Sequence, residues 1–153
     1  MTHQEYIKAI QKQQSLISSL FNCRKERSKK IDQIVMERYG SLIGKFFKAD
    51  DRMPRAHSGA YYHIVGLSTN SNYLMSTQVD IRLICRYLSV SQTISYDTEM
   101  MVTGAEFITQ EFPFTPSDDI LALIEPMLVS KEEAIGYCED AFKQVMENFL
   151  RIN

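Results

Sequence analysis

Alternation of apolar and polar residues along YLMSTQVDIRLICRYLSV, residues 73–90, constrains the fold more than any other feature of the sequence. Odd positions from Tyr73 to Tyr87 are apolar or semi-apolar apart from Thr77, and most even positions are polar. This period of two predicts a long strand with its odd face in a core. A straight strand of this length would span about 50 Å, which exceeds the diameter of a domain of this size. We therefore expect a bulge, a small barrel or two strands whose apolar residues share the odd positions. Parity switches near Leu88 and Ser89, where we place a bulge or turn.

The even face of the same segment has two interpretations. Arg82, Ile84 and Arg86 are neighbours on it. They form either a solvated face with cross-strand ion pairs or a surface that binds a protein partner, because an exposed isoleucine between arginines is typical of an interface. We retain all three as candidate interface residues.

Length and composition predict one domain, residues 1–153, with 44% hydrophobic residues to form its core. A net charge of −2 gives no global attraction to nucleic acid or to an anionic membrane. The apolar runs are shorter than the roughly 20 residues that cross a bilayer, and the first residues lack the pattern of a signal peptide. We therefore expect a cytoplasmic protein with no membrane partner. Three dispersed cysteines fit a reducing compartment.

Residues 1–40 predict a helical arm, which the T-x-x-E spacing of Thr2 and Glu5 can cap reciprocally. Arg24 and Arg27 interrupt its apolar stripe. The helix is therefore either continuous and exposed there, or broken near Asn22 into two antiparallel pieces. The stripe is longer than one sheet face requires, so we expect self-association through it. Its candidate interface residues are Ile10, Ile17, Leu20, Ile31 and Ile34.

The pattern of the remaining chain predicts an α+β fold. Residues 41–112 should form an antiparallel sheet, either curved or closed as a small β-barrel. Residues 117–152 should form C-terminal helices that pack on this sheet. Five segments are predicted to supply the strands: LIGKFFK, AYYHIVGL, the long alternating segment, a segment around Gln92 and Ile94, and MMVTGAEFI. Ser117 can cap a short helix, and Ser130 with Glu133 forms a second capping box.

Motifs for chemistry are missing from the sequence. No phosphate-binding glycine loop and no C-x-x-C pair occurs, so we predict no catalytic residue, no metal site and no cofactor, and we identify no small-molecule substrate. An enzyme of unknown class is an alternative, and it would need polar groups that converge around His57, His63 or Asp51.

Nucleic-acid binding is a second alternative. The segment CRKERSKK holds five cations that can contact phosphates: Arg24, Lys25, Arg27, Lys29 and Lys30. The aromatic pairs Phe46–Phe47 and Tyr61–Tyr62 could add one stacking platform each, because adjacent strand residues point to opposite faces.

The segments LIGKFFK, residues 42–48, and YYHIVGL, residues 61–67, resemble the opening hairpin of small uncharacterised phage-encoded proteins with a barrel-like sheet. The resemblance implies a phage or mobile-element origin, a location in the host cytoplasm or the virion, and a non-enzymatic role. It transfers no functional residue. We therefore predict a structural or accessory protein that binds proteins and self-associates.

Overall fold

A computed structural model describes residues 1–15, 21–69, 79–94 and 99–151, apart from the side chains of residues 15, 21–25 and 27. Its helices are α1 (His3–Ser15), α2 (Phe21–Tyr39), α3 (Ile120–Ile124) and α4 (Lys131–Leu150). Its strands are β1 (Phe46–Lys48), β2 (Tyr61–Thr69), β3 (Ile81–Ile94), β4 (Met100–Phe114) and β5 (Leu128–Val129). The strands form one open antiparallel sheet in the order β4-β3-β2-β1-β5, so the predicted α+β class is confirmed and the sheet is not a barrel.

Side-chain caps determine where the helices begin. Thr2 and Glu5 cap α1 reciprocally, since each backbone N–H donates to the other side chain at 3.1 Å. Ser130 caps α4 by accepting from the N–H of Glu133, also at 3.1 Å. The capping box at Thr2 and Glu5 and the cap at Ser130 are both confirmed. The cap of α3 is Asp119, which accepts from the N–H of Ala122 at 3.2 Å, and not Ser117 as predicted.

The chain folds into two compact units, each made of three segments. The first unit comprises Met1–Gly44, Ile64–Cys85 and Glu111–Pro126. In it α1 and α2 are separate antiparallel helices, because Tyr6 near the start of α1 meets Tyr39 at the end of α2 with ring centroids 5.2 Å apart. The chain therefore has the two antiparallel helices of the broken-helix alternative, but Asn22, the predicted position of the break, lies within α2.

The odd face of β3 lies in the core of the first unit. Ile81, Leu83 and Cys85 are fully buried there, which confirms the predicted face over the described residues. Residues 73–78 of the alternating segment lie outside the described residues. The strand continues to Ile94, so a turn near Leu88 and a separate strand around Gln92 are both wrong. The predicted change of parity is present, since the buried positions pass from Cys85 to Leu88, and the bulge stays a prediction.

The second unit comprises Lys45–His63, Arg86–Gln110 and Met127–Asn153. Its sheet is centred on β1, where Phe46 lies opposite both His63 of β2 and Val129 of β5. No sequence pattern predicts β5, because two residues are too few to show a strand period. Helix α4 contacts this sheet through Tyr137, whose ring lies 4.9 Å from that of Tyr61. None of the helices in the described ranges is long and apolar enough to cross a membrane.

Candidate interaction site

A cleft of about 430 Å³ lies between α4 and the sheet of the second unit. Its sheet wall is aromatic: Phe46 and His63 occupy opposed positions of β1 and β2, and their rings stack at 4.3 Å with an interplanar angle of 8°. Leu88 also lines the cleft and is buried. Leu88 is an even-numbered residue of β3 and so belongs to the face that was predicted to be polar. It is buried because the cleft on this face lies under α4.

The lining beside His63 includes Arg86, Cys138 and Glu139, together with three tyrosines, Tyr61, Tyr62 and Tyr87. Burial lowers the pKa of His63, and the positive charges of Arg86 and Lys131 lower it further. The imidazole is therefore neutral at pH 7. Burial raises the pKa of the Cys138 thiol, which keeps it protonated and makes it a poor nucleophile. These groups favour binding over covalent chemistry.

The rim of the cleft continues into an exposed apolar surface on α4. We call this surface the α4 stripe, and it consists of Ile135, Phe142, Met146, Phe149 and Leu150. Phe149 is 81% exposed and Leu150 67% exposed. Phe107 of β4, itself exposed, extends the stripe onto the sheet, because its ring lies 6.0 Å from that of Phe142.

The opposite side of α4 faces its own unit. Ala134 and Ala141 are buried, and Asn148 donates a side-chain hydrogen bond to the carbonyl of Val102. Small residues therefore form the packed side of the helix, while Met146, Phe149 and Leu150 are exposed. The helical period of the sequence predicts one apolar face that includes Ala134, Phe142 and Phe149, whereas only Ala134 of these three is buried. A visible signal was the seven-residue spacing of Ile135, Phe142 and Phe149.

A second cluster in this unit is built around the hydroxyl of Tyr62. It accepts a hydrogen bond from the N–H of His57 at 3.0 Å and donates one to Gln110 Oε1 at 2.9 Å. The His57 ring meets the Tyr87 hydroxyl at 3.1 Å, and Gln110 Nε2 donates to the carbonyl of Arg55 at 2.8 Å. This network holds the loop that precedes β2 against β4.

The two histidines proposed for an enzyme belong to different clusters. His57 bonds to tyrosines, whereas His63 stacks on Phe46. Tyr62 and His63 are consecutive strand residues, so their side chains point to opposite faces of the sheet. Asp51 is exposed in the loop. Nothing brings these three residues together, and the enzymatic alternative stays a prediction.

The helical residues predicted as an interface are mostly placed inside the first unit. Ile10 and Ile31 are buried in its core and Ile34 is half-buried, while Ile17 and Leu20 lie outside the residues whose side chains are described. Among the residues with described side chains, the packing of α1 on α2 therefore covers Ile10 and Ile31. Self-association through the rest of this stripe stays a prediction.

The three candidates on β3 have different surroundings. Arg82 pairs with Glu111 at 2.9 Å, as the solvated-face interpretation predicts. Ile84 is half-buried beside Gly66, where an added Cβ would lie 3.7 Å from Ile84 Cδ1. Arg86 is exposed and lines the cleft. Only Arg86 therefore joins the candidate site.

The basic segment is described only in part. Lys29 and Lys30 are exposed on α2, while the side chains of Arg24, Lys25 and Arg27 are among those not described. Nucleic-acid binding stays a prediction. Across residues 1–15, 21–69, 79–94 and 99–151, no three His, Cys, Asp or Glu side chains group in a way that could hold a metal ion.

No family model, no curated protein and no solved structure matches the chain. The resemblance of residues 42–48 and 61–67 to phage-encoded hairpins therefore stays a prediction. A functional proposal for this protein has to rest on its own contacts, charges and exposed surfaces.

Proposed function

We propose that this protein is a non-enzymatic structural or accessory protein that self-associates through the α4 stripe. The observation that carries the proposal is the exposure of large apolar side chains along one side of a well-capped helix. Isolated exposed apolar residues are ordinary, but a contiguous patch on a water-soluble surface is typical of an interaction site. Phenylalanine and methionine, which make up most of this patch together with Phe107, are enriched in interfaces.

The partner that fits the stripe is a second copy of the chain. Ile135, Phe142 and Phe149 are spaced symmetrically, seven residues on each side of Phe142. An antiparallel copy of α4 centred on Phe142 would therefore place Ile135 of each copy opposite Phe149 of the other. A two-fold interface must be complementary to itself, and this spacing meets that requirement.

The charges that flank Phe142 fit the same antiparallel arrangement. Glu139 lies three residues before Phe142 and Lys143 one residue after it. In the antiparallel pair, Glu139 of one copy and Lys143 of the other are separated along the helix axis by less than one turn. Two equivalent ion pairs would form across the axis, and antiparallel helix dipoles add a small attraction.

A matched pair of methionine variants tests the surface. Met146 on the stripe is 57% exposed and Met36 on α2 is 47% exposed, so a charge at either position leaves the core intact. Light scattering over a wide concentration range should show a monomer–dimer equilibrium for the parent and for Met36→Glu. Met146→Glu should be monomeric, because dimerisation would bury its carboxylate against apolar residues.

A charge exchange tests the antiparallel partner. Lys143→Glu should weaken the dimer, and Glu139→Lys with Lys143→Glu should restore it, because the exchange recreates both ion pairs. Equal loss in the single and the double variant would contradict the antiparallel geometry. A parent that is monomeric at every concentration would remove the proposal.

The phage or mobile-element setting is a further part of the proposal, supported only by the hairpin resemblance. A structural role in a virion or as a host-cell accessory factor is compatible with a self-associating protein. Identifying the genes next to this one tests the setting, since neighbouring capsid and tail genes would support it and a cluster of metabolic genes would oppose it.

A further inference from the structure

We propose that the cleft beside Arg86 is a binding site for a planar aromatic carboxylate. This inference goes beyond self-association, because its anchor is a sheet residue outside the α4 stripe, although Phe142 and Glu139 take part in both. Four features carry it: the size of the cleft, its aromatic walls, the positive charge of Arg86 and the position of the Glu139 carboxylate in its lining.

The size and walls of the cleft suit a small flat molecule. Its volume of about 430 Å³ lies within the range of about 300 to 1,000 Å³ found for small-molecule sites. The stacked rings of Phe46 and His63 form one wall, and Phe107 and Phe142 stand at another side. Flat walls of this kind accept an aromatic ring in offset or edge contacts and give little advantage to a flexible chain.

Arg86 supplies the recognition of an anion. Among the described residues, no carboxylate lies within salt-bridge distance of its guanidinium, whereas Arg82 four residues earlier is paired with Glu111. A guanidinium offers two parallel N–H donors that match a carboxylate. Lys131 adds to the positive field in this region, since its charge and that of Arg86 both act on His63.

Glu139 determines the direction in which the ligand lies. It is the acidic residue of the cleft lining and stands on α4, across from the sheet strand that carries Arg86. A ligand carboxylate is attracted to Arg86 and repelled by Glu139, so the ring should point from the sheet wall toward the phenylalanines at the rim. His63, being neutral, contributes a ring face and an N–H donor and not a competing charge.

Isothermal titration calorimetry with 2-naphthoate tests the site on the full chain. We expect saturable binding with one ligand per chain, and a rise in Kd of about tenfold in Arg86→Gln, the magnitude of a lost charge-assisted hydrogen bond. Arg82→Gln is the matched control, since Arg82 is an exposed arginine of the same strand, and should leave Kd unchanged. Glu139→Gln should lower Kd, because it removes the repulsive charge.

Three ligand comparisons complete the test. Neutral 2-naphthamide should bind at least several-fold more weakly than 2-naphthoate and be insensitive to Arg86→Gln. Decanoate should bind more weakly than 2-naphthoate, and tighter binding of decanoate would assign the cleft to acyl chains and overturn the aromatic class. Tighter binding of a naphthylmethylammonium cation, or equal losses in Arg82→Gln and Arg86→Gln, would overturn the anionic site.

Light scattering, which measures the molecular mass of the particle in solution, separates this inference from the proposed function. Arg86→Gln lies outside the stripe and should keep the monomer–dimer equilibrium of the parent. Failure of 2-naphthoate to bind would therefore remove the ligand site while leaving self-association in place, and a monomeric parent that binds 2-naphthoate would do the reverse.

Discussion

The hydroxyl of Tyr62 joins two segments of the second unit through two hydrogen bonds. Its side chain is fully buried, and its oxygen joins the N–H of His57 to Gln110 Oε1. Tyr62→Phe removes both bonds and keeps the ring in place against Phe47, whose centroid is 5.1 Å away. The variant therefore isolates the hydrogen bonds from the packing.

The expected loss of stability in Tyr62→Phe follows from the two hydrogen bonds that it removes. Each contributes about 1 kcal/mol net to stability, so Tyr62→Phe should lower the free energy of unfolding by about 2 kcal/mol. His57 is exposed and Gln110 half-buried, so water can partly replace the lost partner and the cost should not rise far above that value. For a chain of this length the same loss corresponds to a fall in Tm of about 4 to 8 °C.

Urea unfolding followed by far-UV circular dichroism measures this difference, because the chain has no tryptophan to report by fluorescence. Protein concentration is held constant, since a dimer makes apparent stability depend on it. Tyr87→Phe is the graded control: it loses one exposed bond to the His57 ring, and should cost at most about 1 kcal/mol. Equal effects of the two variants, or a cost of Tyr62→Phe below about 0.5 kcal/mol, would refute the reasoning.

Three further predictions use the same chain. Ser130→Ala should cost about 1 kcal/mol in urea unfolding, because it removes the cap that accepts from the third N–H of α4; no change would mean that α4 does not depend on this cap. Hydrogen bonds from the side chain and backbone of Arg52 lower the pKa of Asp50. Their contribution to the stability of the fold is therefore present above the ordinary carboxyl pKa and is lost as the pH falls through the lowered pKa. A carboxyl NMR titration should show that low pKa, and Arg52→Gln should raise it. Burial raises the pKa of Cys85 to about 12, so iodoacetamide at pH 8 should modify Cys85 only after unfolding and more slowly than Cys138. Mass spectrometry measures the two rates of modification, and equal rates would contradict the buried position of Cys85.

Local signals in the sequence predicted the elements that depend on local chemistry. The two capping boxes at Thr2 and Ser130 place helix starts because a side-chain oxygen and a nearby N–H meet within one turn. The alternation through Ile81, Leu83 and Cys85 predicted a buried face because strand side chains have a period of two. These predictions needed no knowledge of distant partners.

Predictions that depended on long-range packing were less accurate. The stripe of α1 and α2 was interpreted as an external interface, although Ile10 and Ile31 pack within the first unit. The periodicity of a helix shows that it has an apolar face but not what covers that face. Helix α4 illustrates the converse, because its alanines pack inward and Phe142 and Phe149 remain exposed.

The candidate site was only partly predictable for the same reason. Arg86 was selected from the even face of the alternating segment, and it does line the cleft. Its partners in the lining, Phe46 and Glu139, come from β1 and α4, which lie 40 and 53 residues away in sequence. No local pattern joins such distant positions, so the cleft became visible only with the fold.

Disulfide trapping at the centre of α4 tests self-association most directly. In an antiparallel dimer centred on Phe142, this residue meets its own copy, whereas Ile135 meets Phe149 of the other copy. Phe142→Cys should therefore form a disulfide-linked dimer under mild oxidation, seen on a non-reducing gel, and Ile135→Cys should remain largely monomeric under the same conditions. Equal cross-linking of the two variants, or none in Phe142→Cys, would contradict the account.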